Sequence, residues 1–249
     1  MSLYSDYINE NLKIEYSSES VIKNTEDSRI ELFKHNNSGN KLILIKSNNR
    51  NDHIYRLLRG KKHRNLPVIY DVCSDEDCVI VLESFVDGVT LNEKARQSKL
   101  SEKETLWYIL DLCSALSFLH SLDIVHRDIK PSNVIIDGEN RAVLIDFSSA
   151  REISLLADND TQHLGTPGYA APEQYGVYQS LPATDIYALG VLLNELLIGT
   201  NPIIKTPKGR FGRIIKKCTS SQIAERYQTV KELEKDLKRA MLGRLKKRD

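Results

Sequence analysis

Between Asp185 and Gly199 the apolar residues Ile186, Leu189, Val191, Leu192, Leu193, Leu196 and Leu197 leave almost no polar side to what reads as a helix. A helix that is apolar around most of its circumference needs protein on nearly every side. The chain must therefore build a domain around this segment. With 249 residues, 41% of them hydrophobic, it has the material to do so.

Two further helices are legible around that spine. Ser101 followed by Glu104 is a capping box, and Leu106, Ile109, Leu110, Cys113, Leu116 and Leu119 continue from it as one apolar face to about His120. From about Thr229 to Leu242, Val230, Leu233, Leu237 and Met241 form another face under a basic exterior. The first third has a different period. Lys41 to Lys46 and Val79 to Leu82 are short and β-branched, and the second is expected to close a hairpin with Val68 to Tyr70. A small, mostly antiparallel sheet is expected there, with one short helical segment carrying Ile54, Leu57 and Leu58. No internal repeat or low-complexity tract interrupts the chain.

Charge narrows the functional classes. The 35 basic and 34 acidic residues leave a net charge of +1, too little to steer the chain to nucleic acid or to a membrane. Two basic stretches, Arg50 to Arg64 and Lys235 to Arg248, carry between them a single Phe, Tyr or Trp, Tyr55, too little aromatic interleaving to favour nucleic-acid binding. The first, six cations against Asp52, is a candidate surface for an acidic or phosphorylated partner. Cys73, Cys78, Cys113 and Cys218 show no metal spacing and read as reduced thiols, although Cys73 and Cys78 flank a turn across which they could face each other. No signal-like start and no long apolar span is present, so a cytoplasmic protein without a membrane partner is expected.

The chemistry is concentrated between the first long helix and the buried one. His126-Arg127-Asp128-Ile129-Lys130-Pro131-Ser132-Asn133 is followed, 18 residues after Asp128, by Asp146-Phe147-Ser148. A hairpin turning at Asp137 to Asn140 can bring both stretches to one end of a sheet. Two aspartates and an asparagine so placed suit a hard divalent cation and an anionic substrate.

These residues resemble the protein kinase superfamily: the first stretch is similar to the catalytic loop HRDLxxxN and the second to the DFG motif, with serine in third place. Gly165 to Glu173, GTPGYAAPE, is similar to the end of the activation segment, Asp185 to Gly190 to the DxWxxG helix, and Arg226 to its late arginine. The wording is most similar to bacterial eukaryote-like serine/threonine kinases. The resemblance implies an α+β, bilobal fold as a single domain over 1–249, with a small sheet lobe at 1–85 and a larger, mainly helical lobe at 86–249.

It also implies ATP-dependent phosphoryl transfer to serine or threonine of a protein substrate. Asp128 would handle the hydroxyl proton, Lys130 would neutralise the transferring group, and Asn133 with Asp146 would hold Mg²⁺, or alternatively Mn²⁺. Lys46 would bind the α/β-phosphates, with Ile30, Leu44, Leu82 and Ile135 enclosing the adenine and the backbones of Glu83 and Phe85 meeting it. Glu173 and Arg226 would form a buried ion pair, and Asp185 would fix the catalytic-loop backbone. Ser154 and Thr161 are the expected sites of autophosphorylation, with Arg127 gathering the phosphate.

Two departures stand against the family pattern. Among the first 87 residues only Gly39 and Gly60 are glycine, so the phosphate-covering loop has Lys23, Thr25 and Ser28 where glycines are expected. No glutamate lies between Glu31 and Glu76, and Ile54 takes the place of the helix acid; Asp52, Glu26 or Glu31 is left to pair with Lys46. The alternatives to an active kinase are a pseudokinase, serving as a nucleotide-binding or scaffolding module, and a small-molecule phosphotransferase.

Overall fold

A computed structural model describes residues 12–48, 51–74, 78–153, 166–176 and 179–245, without the side chains of 243–245. The chain divides between Asp87 and Gly88 into two compact units.

The first unit is an antiparallel sheet in the order β1-β2-β3-β5-β4. Its strands are β1 (Tyr16–Asn24), β2 (Ser28–His35), β3 (Lys41–Ser47), β4 (Ile69–Ser74) and β5 (Val79–Ser84), with helix α1 (Asp52–Leu58) between β3 and β4. In β3, Leu42, Ile43, Leu44 and Ile45 are all buried, so this central strand is covered on both faces. That is why its sequence is a continuous apolar run without alternation. Residues opposite each other in an antiparallel ladder share a face. Lys46 lies opposite Arg29 and Ile80, and Leu44 opposite Glu31 and Leu82. Ile45 lies opposite Ile30 and Val81, and Ile43 opposite Leu32 and Glu83, on the other face. The Leu44 face packs as a cluster of Leu12, Phe33, Leu42, Leu44, Cys73 and Ile80 that contains none of α1's buried Ile54, Tyr55 and Leu58. Helix α1 is tied instead to the end of β4, where the Ser74 hydroxyl donates to Asp52 at 3.1 Å and accepts from Arg56 at 2.9 Å. Ser74 lies opposite Val79, which in turn lies opposite Ser47, on the Ile45 face. The hairpin expected at Val68 to Leu82 is present, and none of the four cysteines is in a disulfide.

The second unit is mainly helical. After β6 (Gly88–Thr90) come α2 (Leu91–Gln97) and α3 (Glu102–His120), then β7 (Ile124–Val125), β8 (Val134–Asp137), β9 (Ala142–Leu144) and β10 (Arg151–Glu152). Helices α4 (Pro182–Ile198), α5 (Arg210–Cys218) and α6 (Val230–Leu245) complete it. The Ser101 capping box forms as expected, with the Glu104 N–H donating to the Ser101 hydroxyl at 3.2 Å and the Ser101 N–H to the Glu104 carboxylate at 2.9 Å. Every residue of α4 from Ala183 to Asn194 is buried. The helix begins three residues earlier than the apolar run suggests, because Pro182 fits a first turn whose N–H groups have no intrahelical partner. It ends at Gly199, whose φ of 70° closes a left-handed cap. Gly190 is required by packing, since a Cβ there would stand 2.4 Å from that of Cys218. Among the described residues no helix is long and apolar enough to cross a membrane.

Candidate active site

The catalytic loop runs from β7 to β8, and a buried carboxylate holds its backbone. Asp185, in the first turn of α4, accepts the N–H groups of His126 at 2.9 Å and Arg127 at 2.8 Å, and contacts His120 Nε2 at 2.8 Å. Burial pushes the Asp185 pKa up, but the His120 contact and the neighbouring histidines more than offset it, leaving it below the ordinary value. Those two N–H bonds fix Arg127 at φ 67°, a left-handed conformation costly for a residue with a side chain. The Arg127 carbonyl accepts from Gln174 Nε2 at 2.8 Å, and its Nε donates to the Ser149 carbonyl at 2.6 Å.

Asp128 follows and is gripped at both oxygens. Lys130 Nζ at 2.7 Å and Asn133 Nδ2 at 2.9 Å donate to Oδ2, and the Thr166 hydroxyl donates to Oδ1 at 2.7 Å. Lys130 also donates to Thr166 at 2.8 Å. Burial raises the Asp128 pKa, and the bonds from Lys130 and Thr166 overcome it, so the carboxylate lies below its usual range and is ionised at neutral pH. Asn133, in a 3₁₀ turn, directs its amide hydrogens to the Asp128 backbone and side chain, and its amide oxygen bonds no described residue. Its carbonyl accepts the Ile145 N–H at 2.9 Å, which brings the next residue, Asp146, alongside. Asp146 has φ 67° and accepts the Ser148 N–H at 3.1 Å on one oxygen, leaving the other uncommitted among the described residues. Two hard oxygens, Asn133 Oδ1 and one from Asp146, fit a Mg²⁺ ion that takes its remaining ligands from phosphate and water. Phe147 packs edge-on against His126, with ring centroids 5.8 Å apart.

Below this loop Glu173 and Arg226 form a bidentate pair at 2.7 and 2.8 Å with side chains 3% and 0% exposed. Arg226 also donates to the carbonyls of Ser220 and Ala183 and lies 4.9 Å from the Tyr187 ring centroid, while Thr184 donates to Glu173. Each of the three guanidinium nitrogens and both carboxylate oxygens has a partner, which is the condition for burying charge. Gln174 escaped the sequence reading. Its position directly after Glu173, in a turn that caps itself through Ala171, was the available signal.

The first unit requires corrections. Lys46 does not face the α1 side of the sheet. It shares a face with Leu44 and Leu82, and lines with Leu12, Tyr16, Arg29, Glu31 and Phe33 a cavity of about 870 Å³. Ile30 lies on the opposite face, so Ile30, Leu44, Leu82 and Lys46 cannot line one slot. The β3 residue level with Lys46 but turned to the α1 side is Ile45, and the helix carries Ile54 where an acid was expected. None of the three acids considered pairs with Lys46: Asp52 bonds Arg56 and Ser74, Glu31 pairs with Arg29, and Lys46 makes no hydrogen bond or ion pair among the described residues. Glu83 lies within the ladder, opposite Ile43 and Ile69, so backbone outside the strand begins at Phe85, whose ring sits 5.5 Å from Lys41 Nζ. Ile135 is a half-buried β8 residue of the second unit, opposite Thr90 and Val143.

The glycine-poor turn is held by its own side chains. Thr25 closes it, its hydroxyl donating to the Ser28 carbonyl and accepting the Ser28 N–H, both at 3.1 Å. Asn48 latches it to β3 through the carbonyls of Asp27 at 2.9 Å and Glu26 at 3.1 Å. Within the Arg50 to Arg64 patch, Arg56 pairs with Asp52 and Arg59 with Asp71, which reduces the free charge; Arg50 lies outside the described residues, as do Ser154 and Thr161.

Comparison with known proteins accords with this geometry. The protein kinase domain family matches residues 20–248. The chain is 32% identical to the serine/threonine-protein kinase PrkC of Bacillus subtilis over 72% of its length, and 30% identical to PknD of Protochlamydia amoebophila over 73%. Calmodulin-binding receptor-like cytoplasmic kinase 3 of Arabidopsis thaliana is 34% identical over 59%. The chain spans 31%, 24% and 31% of the length of these relatives. It belongs to the protein kinase family and has that family's α+β fold of sheet unit and helical unit.

Proposed function

We propose that this chain is a serine/threonine protein kinase that transfers the γ-phosphoryl group of ATP to protein hydroxyls. The observation that carries the proposal is Asp128: ionised, held at Oδ2 by Lys130 and Asn133, and receiving at Oδ1 a hydroxyl proton donor, Thr166, at 2.7 Å. A substrate serine or threonine can make the same bond at that oxygen, aligned to lose its proton as the phosphoryl group arrives. Lys130, bridging Asp128 and Thr166, supplies positive charge beside the transferring group. Asn133 and Asp146 would hold the metal, which neutralises phosphate charge when bound. Such transfer is mostly alignment and charge stabilisation, so holding these groups rigidly is the protein's main contribution. The kinase reading extends to autophosphorylation at Thr161 or Ser154.

A second reading has one observation in its favour: Lys46 faces away from α1, and Ile45 and Ile54 replace an ion pair on the α1 side. A protein with that sheet would act as an interaction module without efficient transfer. One assay separates the two. Purified chain is incubated with labelled ATP, Mg²⁺ or Mn²⁺ and a generic protein substrate, beside Asp128→Asn. Label transferred by the wild type alone supports the kinase; no transfer by either supports the interaction module.

A further inference from the structure

A cavity of about 440 Å³ opens between α5 and α6 in the second unit. Arg210, Arg213 and Lys217, at spacings of three and four residues, put three cations on one side of α5, and Arg239 of α6 adds a fourth. Among the described residues the only acid lining it is Asp236, already bonded by the Tyr227 hydroxyl at 3.0 Å and by Arg239 at 3.5 Å. Helix α5 contains four basic and no acidic residues. Like charges three and four positions apart repel on a helix, and an anion held between them relieves that repulsion. The floor is built and apolar, from Ile214, Ala240 and the Tyr227 ring, over which Lys217 Nζ sits at 4.1 Å. Arg210 donates to the Arg239 carbonyl at 3.3 Å, which fixes the two helices together. The Arg213 N–H donates to the Gly209 carbonyl at 3.3 Å, while its guanidinium bonds no described residue and can take a ligand.

From this cavity we infer a second anion site in the chain, separate from the catalytic loop and taking a small anion that carries a pyrophosphate group. Three positive charges in excess call for a multiply charged ligand, and the volume holds more than one phosphoryl group. Guanidinium forks match phosphate oxygens in pairs. The inference does not depend on catalytic activity.

Titration calorimetry of the whole chain with inorganic pyrophosphate, in EDTA to exclude metal-assisted binding near Asn133 and Asp146, tests it. One site is expected, with inorganic phosphate at least tenfold weaker. Affinity should drop at least tenfold in Arg213→Gln with Arg239→Gln, both exposed, and persist in Lys61→Gln with Lys62→Gln. Circular dichroism of the first variant should match wild type; if that variant does not fold, the single Arg213→Gln is expected to lose at least threefold. No heat from the wild type, equal affinity for phosphate and pyrophosphate, or unchanged binding in the Arg213 variants would overturn the site. So would binding of a phosphoserine peptide without binding of pyrophosphate.

Discussion

The two units of the chain handle charge in opposite ways. In the helical unit, Asp128, Asp185 and Glu173 are each surrounded by matched donors, and Arg226 is buried with a partner at each guanidinium nitrogen. In the sheet unit, the face toward α1 is apolar at Ile43, Ile45 and Val81, and its nearest basic residue, Lys46, is turned to the opposite side. One unit brings together the residues proposed for phosphoryl transfer, whereas in the other Lys46 and the helix α1 lie on opposite faces of the sheet. Because each unit is stabilised by packing within itself, changes on the sheet need not disturb the residues of the catalytic loop.

The contrast can be broken first at Asp128. Asp128→Asn removes the proton acceptor and should lower transfer by about a hundred- to ten-thousand-fold with little change in thermal stability. Next is the buried pair. Glu173→Ala leaves Arg226 uncompensated and should cost about 3–5 kcal/mol in denaturant unfolding. The sheet unit should respond in the reverse sense. Ile45→Lys places a cation on the buried side and should cost about 2 kcal/mol or more, while Lys46→Ile should be nearly neutral. If Lys46→Ile destabilises the chain more than Ile45→Lys does, the facing of β3 is wrong.

A smaller effect concerns pH. Burial raises the Glu173 pKa, but the Arg226 bonds and charge lower it further, to a net value below the ordinary 4.5. A carboxylate depressed on folding contributes stability that is complete above its unfolded value and lost as pH falls through the folded one. Unfolding free energy should therefore decline below about pH 4.5, and less steeply in Glu173→Gln with Arg226→Met.

Much of the helical unit was legible because its signals are local. Ser101 and Glu104 marked the start of α3, and the apolar period carried it to His120, where it ends. The roles of Asp185 and of the Glu173–Arg226 pair followed from motifs whose spacing is fixed by the loop they brace. The first turn of α4 was missed since Pro182 reads as a breaker, yet is well tolerated at the first helical position. The sheet was harder for a specific reason. Leu42-Ile43-Leu44-Ile45 is buried on both faces, so it has no alternation to say which way Lys46 points, and a shift of one residue reverses every side chain. The register with β2 and β5, a non-local property, was needed to decide it. The lid turn was obscured in the same way, since Thr25 and Asn48 satisfy each other's neighbourhood only once β2 and β3 are paired.

The facing of Lys46 away from α1, from which we infer that it takes no part in holding the nucleotide's phosphates, is tested most directly by calorimetric ATP affinity in Mg²⁺ for wild type and Lys46→Met. The two dissociation constants are predicted to agree within about twofold, a difference of less than about 0.5 kcal/mol. A loss of tenfold or more in Lys46→Met would contradict it.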